Sequence, residues 1–412
     1  MKKTVSYIVL LSTLVLLLCP ILSSCGSDES STLYVFNWGE YISDGSEESL
    51  NVNEEFEKYC LEELGLNVTV NYSTYSSNED MYAKISSGAA VYDVIIPSDY
   101  MIQRMVVEDM LAPLDISKIP NYENVDEAFK GENVYYEDDS DNIYSVPYFY
   151  GMVGIIYNSD IVSEEDIAAQ SWDLMWNENY SRDILQFNNS RDAFGTALYK
   201  LGYDVNTATD EQWIEALSTL KGQKDLVQGY VMDEIFNKMK SNSAAVAAYY
   251  AGDFLSMYED NDSLAFYYPA EGTNRYVDAM CIPKNSENYD LATEYINFMC
   301  SKEIAIANAE YTYYASPMKT VRNDPEYQSC MEEVHPDAMD ILYNNAENVK
   351  ATPYMNLSPE RLSFVNELWE ELKVESSIGT GVTVLCWIIL GTLVVLVVVH
   401  TVKKRRRAKY YD

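Results

Sequence analysis

Apolar residues fall into three patterns along this chain. Two are long uninterrupted runs, residues 5–22 and 382–402. Between them, short apolar bursts alternate with amphipathic stretches. Leu33-Tyr34-Val35-Phe36-Asn37-Trp38 reads as a buried strand, 48–65 as a helix stopped by Gly65, and 68–72 as a second strand. Residues 78–86 read as helix, 93–97 as a third strand, and 101–111 as helix again. Strands that alternate with helices predict a parallel α/β sheet. Farther on, Asn188-Asn189-Ser190-Arg191-Asp192 follows an apolar burst at 184–187 and opens a helix through Leu198. Tyr249-Tyr250 follows an Ala/Val strand, and Tyr313-Tyr314 follows a helix. No internal repeat or low-complexity segment is present, and 137–141 reads as an acidic surface loop.

In a parallel α/β sheet, ligands bind at the carboxyl ends of the strands. Two segments meet that condition. Trp38-Gly39-Glu40-Tyr41 follows the first strand and Ser98-Asp99-Tyr100 follows the third, and each sets an aromatic ring beside an acid.

The apolar runs have flanks that give them meaning. Lys2 and Lys3 precede the first run and Leu22-Ser23-Ser24-Cys25-Gly26 closes it, which predicts a secretory signal over residues 1–24. Its ending is similar to the bacterial lipobox, which implies cleavage before Cys25, lipidation of the Cys25 sulfur and a Ser-rich tether over 25–32. The alternative is an ordinary signal with a chance cysteine. If uncleaved, the segment would be a membrane helix. The second run, at about 1.5 Å per residue, is roughly 30 Å long, the thickness of a bilayer core. Lys403-Lys404-Arg405-Arg406-Arg407 follows it. This predicts a transmembrane helix at 382–402 and a basic cytoplasmic tail at 403–412, so the segment between the runs is an ectodomain outside the cell membrane.

Charge narrows the partners. Of 28 Lys+Arg and 65 Asp+Glu, eight bases and one acid lie outside residues 27–378. The ectodomain therefore carries 20 bases against 64 acids, a net −44. Nucleic acid is excluded as a partner by sign, and a cationic ligand is attracted, although most of this charge serves solubility. The 36 tyrosines supply ring faces that attract ammonium groups, though most are expected on strands and surfaces. Cys60, Cys281, Cys300 and Cys330 show no metal-type spacing. One or two disulfides fit an extracytoplasmic compartment, without a pairing that sequence assigns. His335 is the single histidine between the runs. A histidine triad or zinc centre is thus hard to build, and no phosphate-binding glycine loop or nucleophile elbow occurs. The expectation is a binding protein, not an enzyme, with neither cofactor nor metal.

Several segments, in order, resemble the spermidine/putrescine-binding proteins of ABC importers. They include Phe36-Asn37-Trp38-Gly39-Glu40-Tyr41, Ser73-Thr74-Tyr75-Ser76-Ser77-Asn78-Glu79-Asp80-Met81-Tyr82-Ala83-Lys84, Tyr92-Asp93-Val94-Ile95-Ile96-Pro97-Ser98, Tyr144-Ser145-Val146-Pro147-Tyr148 and Tyr295-Ile296-Asn297-Phe298. The resemblance implies a two-lobed type II periplasmic-binding-protein fold with hinge crossovers. Lobe 1 would take 33–147 and 277–314, and lobe 2 would take 148–276 and 315–374. It implies aromatic walls at Trp38, Tyr41, Tyr250, Tyr276 and Tyr314, polar contacts at Ser98 and Tyr100, and ammonium-binding carboxylates at Glu40, Asp192 and Asp278. It also implies a permease and an ATPase as partners. Asn189 stands where the spermidine binder has an aspartate, which leaves putrescine and spermidine both open.

Other readings share some of these features. Adjacent tyrosines such as Tyr249-Tyr250 and Tyr313-Tyr314 also suit a ferric-ion binder of the same fold. A membrane-tethered receptor or adhesin would use the same anchors, and a hydrolase lacks a nucleophile and base.

Overall fold

A computed structural model describes residues 30–130, 142–344 and 348–374, with short helical pieces at 387–392, 399–401 and 403. The signal segment, Cys25 and the acidic stretch 137–141 lie outside the described residues. So does most of the run at 382–402. Among the described residues, no helix is long and apolar enough to cross a membrane.

The first sheet has three strands. β1 (Ser31–Trp38) lies between β2 (Val68–Tyr75) and β3 (Val94–Ile95), and both pairings are parallel. β1 begins within the stretch expected as tether. It is apolar enough to be buried on both faces at its centre, where Val35 and Phe36 are sealed. β3 is shorter than its apolar pattern predicts: just beyond it the Ile96 carbonyl accepts from the Trp38 indole (2.9 Å) and the Tyr75 hydroxyl (2.6 Å), and just before it the side chain of Asp93 is engaged too. Its carboxylate accepts from the Tyr34 backbone (2.9 Å), Ser286 (2.7 Å) and Asn288 (3.1 Å).

The helix expected over 48–65 is interrupted. Asn51 caps α1 (Val52–Tyr59) by accepting from the Glu54 backbone, so regular helix starts there. A wider π turn (Cys60–Leu64) follows and ends at Gly65, whose left-handed φ of +67° supplies the stop. α2 (Asn78–Ser86), capped by Ser77, falls where the pattern put it. α3 (Asp99–Val107) starts two residues earlier than expected and stops short, with Asp109 in a left-handed conformation.

The second sheet has seven strands and is mixed, not all parallel as alternation alone predicts. Its path is β10-β9-β4-β7-β5-β6, with β8 beside β4. Here β4 is Val146–Asn158, β5 Ile184–Phe187, β6 Val227–Val231, β7 Val246–Tyr250, β8 Leu264–Tyr267, β9 Thr273–Met280 and β10 Ala351–Thr352. The 13-residue β4 runs antiparallel to β7, β8 and β9. Its first half pairs with β9 and its second half with β7 and β8. The chain just beyond β9 bonds back to the first sheet, where Cys281 and Ile95 exchange both backbone hydrogen bonds (2.8 and 3.0 Å). The two sheets are thereby linked through β4 and β9.

Tyrosines enter the core more than expected, and Tyr295 and Tyr327 are fully buried. Cys60, Cys281, Cys300 and Cys330 are all free thiols, so none of the disulfides considered above forms among them. Gly154 on β4 is closely approached from two sides. A Cβ there would lie 2.2 Å from the Phe266 ring and 2.8 Å from the Tyr267 carbonyl oxygen. The carbonyl belongs to the paired strand β8 and has no room to withdraw. Gly154→Ala is therefore expected to lower unfolding stability by about 1–3 kcal/mol in a urea titration.

Candidate functional site

The ends of β1, β3, β7 and β9 converge on one cleft of about 780 Å³, its open mouth included. Trp38, the last residue of β1, donates its indole N–H to the Ile96 carbonyl (2.9 Å) and leans on the Tyr75 ring with centroids 4.7 Å apart. These contacts fix one aromatic wall. Tyr41 lies three residues on and packs edge-on against Tyr314 at 4.7 Å.

Asp278, on β9, is 5% exposed. Its Oδ1 accepts from the Ser98 hydroxyl (2.6 Å) and its Oδ2 from the Tyr41 hydroxyl (2.7 Å). Ser98 is held in turn by Asn78 at the start of α2. The Asn78 side chain accepts from the Ser98 backbone (3.1 Å) and donates to the Ser98 hydroxyl (3.0 Å) and the Tyr100 hydroxyl (3.1 Å). Tyr100 donates onward to Glu79 (3.0 Å). Donors therefore run in one direction toward two carboxylates.

Across the cleft, Asn189 caps α4 (Ser190–Lys200). It accepts from the Asp192 backbone (2.8 Å) and donates to the Asp192 carboxylate (2.8 Å). Tyr250, the last residue of β7, donates to the same oxygen (2.8 Å). Asp253 opens the helix that follows, α5 (Ala251–Asp260), and accepts from Tyr314 (2.9 Å). That ring lies close to the backbone of Gly252, where a Cβ would sit 2.6 Å from it. Tyr276 completes the wall, edge-on to Tyr250 at 5.2 Å.

Burial shapes the electrostatics. It pushes the Asp278 carboxyl up to about 6, opposed by the hydroxyls of Ser98 and Tyr41 and helped by the charge of Asp192. Burial pushes Asp253 up to about 8, with the Tyr314 hydroxyl opposing and Asp233 and Glu40 adding repulsion. Asp192 and Glu79 are raised by burial as well. The phenols of Tyr250 and Tyr314 are also held well above their usual range by burial. They act as protonated donors to Asp192 and Asp253. Among the described residues, no group of three or more His, Cys, Asp or Glu could hold a metal ion.

Of the residues singled out in the sequence, Trp38, Tyr41, Ser98, Tyr100, Asn189, Asp192, Tyr250, Tyr276, Asp278 and Tyr314 all line this cleft. Glu40 does not. Its φ of +51° turns it out of line, and it is exposed on a neighbouring acidic cavity. Asp253, Asn274 and Tyr354 line the cleft and were not singled out as site residues, and Asp99, the acid of the Ser98-Asp99-Tyr100 segment, lines it too. Asp253 could have been found, because it follows a strand end as Ser98 does. No local pattern marks Tyr354.

A cleft walled by aromatic rings and buried acids at the ends of strands is the site of a binding protein for a small solute. The chain belongs to the bacterial extracellular solute-binding protein family, which it matches over residues 54–332. This is a family of solute-binding proteins, not enzymes. The chain is 30% identical over 353 residues to the spermidine/putrescine-binding periplasmic protein of Escherichia coli (strain K12), covering 85% of this chain and 94% of the relative. It is similar in structure to a putative spermidine/putrescine ABC transporter from Listeria monocytogenes, with 34% identity, a TM-score of 0.72 and coverage of 83% and 99%. It is also similar to the spermidine/putrescine ABC transporter substrate-binding protein PotD from Streptococcus pneumoniae strain Canada MDR_19A, solved with calcium and HEPES. There identity is 32%, the TM-score is 0.64 and coverage is 84% and 99%.

The raised carboxyls tie stability to pH. The folded state binds a proton at Asp253 up to about pH 8, whereas the unfolded chain releases it near pH 4. That group's contribution is therefore full below about pH 4 and is lost as pH rises toward 8. Asp253→Asn keeps the acceptor for Tyr314 and cannot ionise. In thermal unfolding without ligand it is expected to raise Tm near pH 8 and to have little effect near pH 4.

Proposed function

We propose that this chain captures polyamines, putrescine or spermidine, outside the membrane and delivers them to the permease and ATPase of an ABC importer. The observation that carries this reading is the set of buried carboxylates, Asp278 and Asp192, each positioned by hydroxyl donors and set between aromatic rings. A polyamine is a methylene chain punctuated by ammonium groups. Ring faces cover the methylenes and add about 0.5–2 kcal/mol of cation–π attraction each. Carboxylates take the ammonium groups in charge-assisted hydrogen bonds. The names of the relatives point the same way.

In this reading Trp38, Tyr41, Tyr250, Tyr276 and Tyr314 form the walls, and Ser98, Tyr100 and Asn189 orient the acids. Glu40 joins the site only if the cleft rearranges on binding. Lobe 1 is 33–147 with 277–314, and lobe 2 is 148–276 with 315–374. β4 and β9, which link the two sheets, act as the hinge. Closing the lobes removes water and strengthens each ion pair. Lipidated Cys25 and the run at 382–402 hold the protein at the membrane, with 403–412 in the cytoplasm.

Calorimetry of the purified full-length chain with putrescine, spermidine and spermine tests the proposal. Binding is expected, and Asp278→Ala and Trp38→Ala are each expected to weaken it about tenfold or more. Stabilisation by ferric salts with no heat from any polyamine would overturn it.

A further inference from the structure

Six buried polar side-chain atoms among the described residues have no hydrogen-bond partner, and three of them belong to residues of the cleft: Asp99 Oδ2, Asn274 Oδ1 and Tyr276 Oη. Asp99 differs from the other two because it is an acid. It is the first residue of α3, immediately after Ser98, and is 7% exposed. Its Oδ1 accepts from the Tyr100 backbone at 2.8 Å. Its Oδ2 has no donor.

The other deeply buried cleft acids are anchored. Asp278 has a hydroxyl on each oxygen, Asp192 has Asn189 and Tyr250, and Asp253 has Tyr314. Those donors fix where each charge sits and share part of it. A carboxylate oxygen sealed from water without a donor is far costlier than one so anchored. Burial accordingly holds the Asp99 carboxyl up to about 8. The Tyr100 backbone N–H opposes that shift, the charge of Asp278 adds to it, and the Val277 backbone and the charge of Arg275 oppose it. In the empty cleft near neutral pH, Asp99 is a neutral acid.

Six carboxyl groups line this cleft, and four of them, Asp99, Asp192, Asp253 and Asp278, are more than nine-tenths buried. A diamine brings two ammonium groups. On the polyamine reading Asp278 and Asp192 take these two, and Asp99 Oδ2 has no donor of its own. A triamine brings one more ammonium group, and Asp99 gains most from it because its oxygen lacks any other partner.

We propose that Asp99 is a specificity-determining residue, the carboxylate that receives a third ammonium group, so that the cleft favours a triamine over a diamine. This rests on the polyamine reading above. No covalent step is involved. The ammonium donates to Asp99 Oδ2, and the proton that Asp99 held passes to solvent.

Asp99→Asn tests the assignment. It retains an oxygen for Tyr100 and can turn its amide nitrogen toward the vacant position, where it repels an ammonium group. The full-length wild type and variant are titrated with spermidine and with putrescine by calorimetry near neutral pH, in two buffers of different ionisation enthalpy. The spermidine Kd is expected to rise about tenfold or more and the putrescine Kd to stay within about threefold. The additional proton released when spermidine binds the wild type is expected to disappear. Equal losses for both amines, or none for either, would overturn the role of Asp99 while leaving the polyamine reading intact. Failure of the wild type to bind either amine would overturn both. Retained putrescine binding also reports that the variant is folded.

Discussion

The Asp278 carboxylate is the group around which the rest of the cleft is arranged. Removing a carboxylate from water costs several kcal/mol unless donors or an opposite charge replace the solvent. Here the donors arrive from separate parts of the chain. Ser98 follows β3, Tyr41 follows β1, and Asp278 itself belongs to β9, which is paired along its length to β4. Each donor has a support of its own. Asn78 fixes Ser98 on two sides, and the Tyr148 hydroxyl donates to the Tyr41 carbonyl (2.8 Å). The acid is thus held ready at a modest cost, with its pKa lifted to about 6 and no further. Asp99 and Asp253, with fewer donors, are lifted to about 8. Burial dominates at all three, and the two hydroxyls on Asp278 offset more of it than the groups around Asp99 and Asp253 do.

Much of this was legible in the sequence, for reasons that differ by residue. Trp38, Tyr41, Ser98 and Tyr100 follow from strand–helix alternation, because a parallel unit fixes which strand ends face the crevice. Asn189, Asp192, Tyr250, Tyr276, Asp278 and Tyr314 were reached through resemblance to a known family, since nothing local relates positions so far apart. Glu40 illustrates a limit. Its identity fits the role, but a positive φ is a property of the turn that periodicity does not encode. The mixed second sheet was equally hidden. Its character depends on the long β4 pairing antiparallel with three partners, all of them more than 80 residues away in the chain for the registers concerned. The interruption of the helix at 48–65 and the shortening of β3 were hidden as well. Both lie in side-chain and turn geometry: Asn51 caps a first-turn N–H and so sets where the helix starts, a π turn from Cys60 breaks it, and Asp93 accepts from the Tyr34 backbone.

Packing explains the aromatic character of the walls. Tyr314 fits beside Asp253 only because position 252 has no side chain, and Tyr276 reaches its place against a bare β4 backbone at Gly151, where a Cβ would lie 2.5 Å from its hydroxyl. Glycine on one strand and tyrosine on its neighbour form a single volume. The rings are therefore set by the scaffold before any ligand enters, which reduces the ordering cost of binding.

The unpaired cysteines bear on how the molecule reaches this state. Cys281 and Cys300 are fully buried, and burial pushes their thiols well above the ordinary range, so the reactive thiolate is scarce. Cys281 also lies in the segment that stitches the two sheets together through Ile95. Two backbone hydrogen bonds and core packing hold that junction, without a disulfide. Maturation of the fold among these residues requires no oxidant, and the link between the two sheets does not depend on whether the surroundings are oxidising or reducing.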